Sequence, residues 1–140
     1  MIPKHSTAPA AVIKAVAGRM APERDTLAIE EPLEIRVAFD ADGKRVSKSI
    51  SVTMRTPGDD YELAAGFLFT EGIIENGAAI HQISYCVGPD KEKQEYNLLS
   101  VSLRPGVRVD TERLMRHFFT SSSCGVCGKT TLDALKAMLP

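Results

Sequence analysis

Tryptophan is absent from this 140-residue chain, and aromatic residues together make up only 6% of it. A surface that stacks nucleobases on aromatic rings is therefore a poor expectation. An excess of charge is missing too, since 17 lysines and arginines face 18 acidic residues and leave a net charge of −1. Without a positive excess, neither nucleic acid nor an anionic membrane is expected as the main partner.

Long apolar runs are also missing. No stretch approaches the ~20 apolar residues of a membrane-spanning helix. Lys14, Gly18 and Arg19 interrupt the short apolar pieces near the N-terminus, where a secretory signal needs a continuous apolar segment. Three cysteines do not suggest a disulfide scaffold. We therefore expect a cytoplasmic protein with no membrane partner, in a compartment that keeps thiols reduced.

Residues 1–28 and the residues after them differ in the periodicity of their apolar side chains. Residues 1–28 are rich in alanine and proline and have no strong period, so a disordered arm is expected. Apolar and polar side chains then alternate over 33–40 and again over 46–54, as in half-buried strands. Asp42-Gly43 between them has the residue types of a tight hairpin turn. Lys48 breaks the second apolar series, which indicates an edge strand.

A helix is predicted after this hairpin. Asp59 is the expected N-cap, and Glu62 three residues later would complete a capping box. Gly66 inside the helix lowers helix stability by ~1 kcal/mol relative to alanine. We attribute the choice of glycine at this position to close packing of the helix against the sheet. Gly72 is expected to end the helix.

Two more strands are predicted over 83–87 and 96–103, followed by helices capped by Asp110 and Thr130. Since hairpins predominate over crossovers, the expected fold class is α+β, with a mainly antiparallel sheet packed by helices. The predicted regions are a disordered arm over 1–28, an α+β domain over 29–119, and a cysteine loop with the start of a second domain over 120–140.

Cys124 and Cys127 are the candidate site residues. They lie two residues apart in a loop of small residues, 120–129, just before the predicted last helix. A nearby helix N-terminus and Lys129 both favour the thiolate, which is the reactive form of cysteine. Two glycines in the loop allow sharp turns and the close approach of a bulky partner. The pattern indicates a nucleophilic sulfur on an accessible loop.

Three other interpretations of the pair stay open. A zinc half-site needs further ligands, for which Cys86, His81 and His117 are the weaker candidates in this chain, although a second molecule could also supply them. A thioredoxin-like redox pair is expected at the end of a strand, whereas a helix is predicted here. An inert loop is the third interpretation, and the specific run of small residues and cysteines speaks against it. No metal ligand is therefore assigned.

Three stretches in this order resemble the FdhD family, the sulfurtransferases that accompany formate dehydrogenase maturation. A lone pair of cysteines would be weak support, and the three stretches together are specific. They are residues 30–37, residues 54–74 with Thr56-Pro57-Gly58-Asp59-Asp60-Tyr61 near the start, and residues 119–129 with Ser121-Ser122-Ser123-Cys124-Gly125-Val126-Cys127-Gly128.

The resemblance implies a sulfur carrier. Members take sulfur from a cysteine desulfurase as a persulfide and pass it to the bis-guanine-dinucleotide form of the molybdenum cofactor, which then goes to formate dehydrogenase. By position, Cys124 matches the persulfide-carrying cysteine, and Cys127 matches the second cysteine, a helper in transfer or a release thiol. No tightly bound metal is implied, and the cofactor-binding residues are not identified.

The chain also differs from the family that it resembles, in the extent of the sequence. Members continue into a second, cytidine-deaminase-like domain that contributes the cofactor-binding site, and we expect that this chain is a truncated form without it. A zinc-bridged binding module and an inactive docking fragment therefore stay open as alternatives to a sulfurtransferase. Without the second domain, an apolar side of the last helix would be uncovered and would promote self-association. A second copy of the chain, in a homodimer, is therefore also an expected partner.

Overall fold

The computed structural model describes residues 5–86, 96–110 and 112 of the chain. This part is built mainly of strands, and none of its helices is long and apolar enough to cross a membrane. The elements are strands β1 (Thr7–Val16), β2 (Arg19–Ala28), β3 (Glu31–Ala41), β4 (Lys44–Arg55), helix α1 (Asp60–Thr70), a 3-10 helix (Gly77–Ala79), and strands β5 (Ile80–Tyr85) and β6 (Leu98–Leu103).

These residues fall into two compact units. The first, the arm unit, contains β1 and β2 together with residues 55–58. The second, the sheet unit, begins at Pro32 and contains most of the four-stranded sheet and α1.

The arm is the hairpin of β1 and β2, which pair antiparallel from Thr7 opposite Ala28 to Val16 opposite Arg19. Its turn residues, Ala17 and Gly18, have φ of 49° and 77°, as in the tight turns that suit the twist of a hairpin. Over residues 7–28 the structure thus differs from the expectation of a disordered arm. The reason is that backbone pairing and the turn order this segment, whereas most of its side chains are exposed and give no apolar period.

The four-stranded sheet has the order β4-β3-β6-β5. Asp42 and Gly43, with φ of 50° and 73°, form the predicted tight turn between β3 and β4. The α+β class, the hairpins and the position of β4 at an edge are confirmed. The sheet is mixed, however, because β3 and β6 run parallel from the pair Glu34 and Leu98 onward. Parallel neighbours need a crossover, and α1 lies in the connection between the two hairpins.

One apolar cluster forms the core of the sheet unit. The alternating residues of β3 are fully buried in it, as their pattern predicts. Two buried residues of α1 lie one turn apart and pack in the same cluster. The buried members are Leu33, Ile35, Val37, Phe39, Ile50, Ala64, Leu68, Ile73, Ile74, Leu99, Val101 and Leu103.

Helix α1 departs from the prediction at both its start and its middle. Asp59 is the N-cap residue, yet its side chain makes no capping hydrogen bond, so the predicted capping box with Glu62 is wrong. Gly66 is exposed, and a Cβ built on it would meet nothing within 4 Å, so close packing against the sheet was also a wrong explanation in the described part. Gly72 follows the helix with φ of 66°, which confirms the predicted end.

Candidate functional site

The predicted site residues Cys124 and Cys127 lie outside the described residues, as do His117 and Thr130. The structure therefore describes the chain up to residue 112 and not the cysteine segment itself. At the end of this part, the carboxylate of Asp110 accepts a 3.0 Å hydrogen bond from the backbone N–H of Glu112. This is the bond that an N-cap side chain makes, as predicted for Asp110.

A second group of polar side chains, the acid–tyrosine cluster, consists of Asp60, Tyr61, Tyr85 and Tyr96. The Tyr85 hydroxyl donates a 2.8 Å hydrogen bond to Oδ2 of Asp60. The ring of Tyr85 lies 5.5 Å from that of Tyr61 and 5.3 Å from that of Tyr96, the second contact being edge-to-face. These are favourable separations for aromatic pairs.

The position of Asp60 explains why a carboxylate is tolerated in this cluster. Asp60 is the first residue of α1 and is only 2% exposed. The unsatisfied N–H groups at a helix N-terminus favour a negative charge there, and the Tyr85 hydroxyl supplies a further donor. The cluster therefore fixes the start of α1 to the end of β5.

The same cluster holds the start of β6. Tyr96 has a φ of 52°, a conformation that is uncommon outside glycine. Backbone bonds join the neighbouring residues to the sheet: the N–H of Glu34 donates to the carbonyl of Asn97, and that of Cys86 donates to the carbonyl of Leu98. The arrangement positions backbone and does not present a nucleophile.

Cys86 lies just after β5 and is half-buried. Burial raises the pKa of its thiol; the Arg36 guanidinium opposes the shift and the Glu34 carboxylate adds to it. Arg36 in turn donates a 2.7 Å hydrogen bond to Glu34, which is 1% exposed. A raised pKa lowers the thiolate fraction, so Cys86 is a poor nucleophile at neutral pH.

A cleft of about 460 Å³ opens beside Asp110. One wall is the segment 72–79 after α1, and the other is the segment 107–110 that leads toward the cysteines. This volume is in the range of small-ligand sites. Its charged side chains, Glu75, Arg108 and Asp110, have mixed signs and indicate no single class of ligand.

No sequence pattern predicted the acid–tyrosine cluster. Asp60 stands next to the predicted N-cap Asp59, and nothing in the sequence pattern marks it as the buried residue of the two. The small number of tyrosines was the one signal for the cluster in the sequence: the chain has only three, and all of them belong to it. Nothing in their spacing indicates that they meet, since they come from three separate elements.

Comparison with known proteins identifies the family. The model of the FdhD/NarQ family matches residues 28–140, which include the acid–tyrosine cluster, the cleft and both predicted site cysteines. The chain belongs to the FdhD/NarQ family. The resemblance expected from the three stretches is thereby confirmed.

Curated relatives in this family carry the name "Sulfur carrier protein FdhD". The chain is 45% identical to that of Mycolicibacterium paratuberculosis over 123 residues, covering 87% of this chain and 42% of the relative. It is 41% identical to that of Anaeromyxobacter dehalogenans over 141 residues, covering 97% of this chain and 46% of the relative. The chain thus spans less than half the length of these relatives.

A solved structure supports the fold. The crystal structure of a protein assigned as a formate dehydrogenase accessory protein, from Desulfotalea psychrophila, matches with a TM-score of 0.53 at 24% identity. The match covers 71% of this chain and 36% of that one.

Proposed function

We propose that this chain carries the sulfur-accepting step of an FdhD-type sulfur carrier. Cys124 takes sulfur from a cysteine desulfurase and passes it to the bis-guanine-dinucleotide form of the molybdenum cofactor, the substrate that serves formate dehydrogenase. The observation that carries the proposal is the family match, because it extends over the segment that contains Cys124 and Cys127. The names of the relatives are consistent with this role.

The first step is a sulfur exchange. The Cys124 thiolate attacks the terminal sulfur of the desulfurase persulfide, and a new S–S bond forms as the old one breaks. The desulfurase cysteine leaves as its thiolate, and Cys124 is left as a persulfide. The step needs no external oxidant because the sulfane sulfur is already oxidised in the donor.

The second step releases the sulfur toward the cofactor. The Cys127 thiolate attacks Sγ of the Cys124 persulfide, a disulfide forms between the two residues, and the terminal sulfur leaves as hydrosulfide. A thiol reductant then restores the pair. Two cysteines with two residues between them suit this step, since the second thiol is held near the first.

Cys86 provides an internal comparison for the thiol reactivity proposed for Cys124. Burial raises the pKa of its thiol, which makes it a weak competitor for a persulfide at neutral pH. The proposal therefore assigns sulfur loading to one of the three cysteines of the chain.

The test is intact-mass spectrometry after incubation of the chain with a cysteine desulfurase and cysteine. We expect a gain of one sulfur atom that a reductant removes. The gain should persist in Cys86→Ala and disappear in Cys124→Ala. In Cys127→Ala the sulfur should load and then resist release.

Three results would contradict the proposal. Full loading of Cys124→Ala would remove that residue from the role. A folded chain that binds the desulfurase in a pull-down but gains no sulfur would indicate a docking fragment, and stoichiometric zinc that is lost in Cys127→Ala would indicate a zinc-bridged module.

A further inference from the structure

The four-stranded sheet has a second face, opposite the apolar core. Side chains alternate between the two faces along a strand, and residues opposite each other in paired strands share a face. The buried apolar residues of β3 and β6 belong to the core, so the residues between them lie on the second face. We call it the serine face; its members include Glu34, Arg36, Asp40, Ser84, Ser100 and Ser102.

Two arginines lie on this face, Arg36 from β3 and Arg45 from β4. Their side chains are equally exposed, at 39% each, but their partners differ. One terminal nitrogen of Arg45 donates to Asp40 at 3.1 Å, and the other donates to the hydroxyl of Ser102 and to a backbone carbonyl of β6. Acceptors of the protein therefore occupy both terminal nitrogens of Arg45.

Arg36 is held in a different way. Its Nε donates a 2.7 Å hydrogen bond to Oε1 of Glu34, a carboxylate that is almost fully buried. Among the described residues, neither terminal nitrogen of Arg36 has a partner. These two nitrogens form a planar fork that matches two oxygens of an anion. Glu34 thus fixes the guanidinium through one nitrogen and leaves the fork open to a ligand.

Two serine hydroxyls lie beside Arg36 on the same face. Arg36 is opposite Ser100 in the pairing of β3 with β6, and Ser100 is opposite Ser84 in the pairing of β6 with β5. Neighbouring strands are about 4.8 Å apart. Both serines are half-buried, and no hydrogen bond of either hydroxyl is found in the described part of the chain. One row across three strands therefore presents a guanidinium fork and two free hydroxyls.

The chemistry of this row selects the ligand. A guanidinium has donors only, and each serine hydroxyl has one donor, so the matching ligand is an anion rich in acceptors. The fork takes two oxygens, and the hydroxyl of Ser100 is available for a third. A carboxylate has only two oxygens, and a phosphate inside a diester leaves only two free. A terminal phosphate or a sulfate group has three or more free oxygens and uses every donor.

We propose that Arg36, Ser100 and Ser84 form a binding site for a tetrahedral oxyanion, a phosphate or sulfate group. The fork of Arg36 holds two of its oxygens, Ser100 donates to a third, and Ser84 borders the site on the edge strand. Glu34 offsets the charge of Arg36, so hydrogen bonds give most of the affinity. We expect a dissociation constant on the order of 1 mM. The site shares no residue with the cleft beside Asp110.

The test is a titration of the ¹⁵N-labelled chain with inorganic phosphate, followed by two-dimensional NMR. Chloride keeps the ionic strength constant, so that screening of surface charges does not change. We expect saturable shifts of the side-chain Nε–H signal of Arg36 and of the amide signals of Ser100 and Ser84. Separate titrations with phosphate and sulfate distinguish the two sources of the tetrahedral group. Acetate should bind at least about fivefold more weakly, since it lacks the third oxygen.

Matched variants test the roles of the fork and the hydroxyl. Arg36→Lys keeps a cation beside Glu34 but lacks the fork, so it should weaken phosphate binding about tenfold. Arg45→Lys is the control, because that arginine is equally exposed on the same face and its nitrogens are already occupied. It should leave phosphate binding unchanged. Ser100→Ala should weaken phosphate binding about fivefold and leave acetate binding unchanged.

Cys86 gives a second readout of the same site. It follows Ser84 by two residues, and the Arg36 guanidinium lowers the pKa of its thiol against the larger effect of burial. An anion bound to Arg36 offsets this cation, so the thiolate fraction at a fixed pH falls. Saturating phosphate should therefore slow iodoacetamide labelling of Cys86 about twofold in the Cys124→Ser, Cys127→Ser chain. Labelling of Cys86 in the same chain with Arg36→Gln should not depend on phosphate.

Each contrary result overturns the proposal. Signals of Arg36, Ser100 and Ser84 that do not shift up to about 50 mM phosphate would mean that no such site exists. Equal weakening by Arg36→Lys and Arg45→Lys would indicate general attraction to surface charge. Acetate that binds as tightly as phosphate, or Ser100→Ala without effect, would exclude the third contact. Ser100→Ala keeps the bond between Arg36 and Glu34, so it tests the site even if Arg36→Lys does not fold. None of these readouts depends on sulfur transfer.

Discussion

The hydroxyl of Tyr85, at the end of β5, donates a 2.8 Å hydrogen bond to the buried carboxylate of Asp60, the first residue of α1. This bond ties the helix N-terminus to the end of the sheet, across 25 residues of sequence. Removing a hydrogen bond between buried groups costs more free energy than removing one at the surface. The reason is that the buried group left without its partner is also shielded from water.

We predict that Tyr85→Phe lowers the free energy of unfolding by about 1.5–3 kcal/mol, the range for a hydrogen bond to a charged group. Tyr61→Phe is the matched control, because it keeps the ring contact at 5.5 Å and loses a hydroxyl on a half-buried residue for which no such bond is found in the described part. Urea unfolding of both variants gives the comparison. Equal losses would mean that removing either tyrosine hydroxyl has the same cost, and would contradict a special contribution from the bond with Asp60.

The strands and the hairpin of the sheet unit could be predicted from sequence because local and global signals agree there. Ile35 and Phe39 alternate with polar residues and are buried, as their period requires. Asp42-Gly43 supplies the positive φ of the turn. The parallel pairing of β3 with β6 could not be predicted, since nothing local in either strand specifies its neighbour.

Prediction from the sequence was wrong where the apolar side chains show no helical or strand period, or where neighbouring residues are identical. The arm has exposed residues on both strands, so its order comes from backbone bonds that no pattern of apolar residues records. Asp59 and Asp60 are identical residues side by side, and their sequence does not show that Asp60 is the one buried beside Tyr85. The prediction for Cys124 and Cys127 stays a prediction, because these residues lie outside the described ones.

We predict that Cys86 titrates above the ordinary cysteine pKa of about 8.5. Burial is the main cause, Arg36 opposes it and Glu34 adds to it. The thiolate fraction therefore rises only at higher pH, and the alkylation rate should keep increasing past the midpoint of an unperturbed thiol. The measurement is iodoacetamide labelling against pH in a Cys124→Ser, Cys127→Ser background, with the urea-unfolded chain as reference.

Arg36→Gln should move the Cys86 midpoint to still higher pH, because it removes the cation that favours the thiolate. Arg45→Gln is the control, since the contacts of that arginine are with Asp40 and β6. A folded-state midpoint at or below that of the unfolded chain would contradict the assignment of burial as the main cause.

Arg45 joins β4 to β6 through its guanidinium. It contacts Asp40 at 3.1 Å, the hydroxyl of Ser102 at 2.6 Å and the carbonyl of Leu103. The side chain is 39% exposed, so solvent screens part of the gain. We predict that Arg45→Ala lowers the free energy of unfolding by about 1 kcal/mol. Lys48→Ala, exposed on the same edge strand, should change it by less than about 0.5 kcal/mol.

Arg45→Lys sharpens this prediction. A lysine keeps the charge but lacks the planar fork that reaches two acceptors, so most of the loss should remain. Full recovery by lysine in thermal unfolding would mean that charge attraction to Asp40, and not the bonds to β6, gives the stabilisation.

Two glycines with equally open surroundings should respond to alanine in opposite directions. A Cβ on Gly66 or on Gly43 would meet nothing within 4 Å among the described residues. Gly66 is inside α1, where alanine restricts the unfolded chain and should stabilise the folded protein by about 0.5–1 kcal/mol. Gly43 has a φ of 73°, where alanine is strained, so Gly43→Ala should destabilise it by about 1–2 kcal/mol. Urea unfolding measures both, and a loss of stability in Gly66→Ala would mean that another part of the chain packs on that side of the helix.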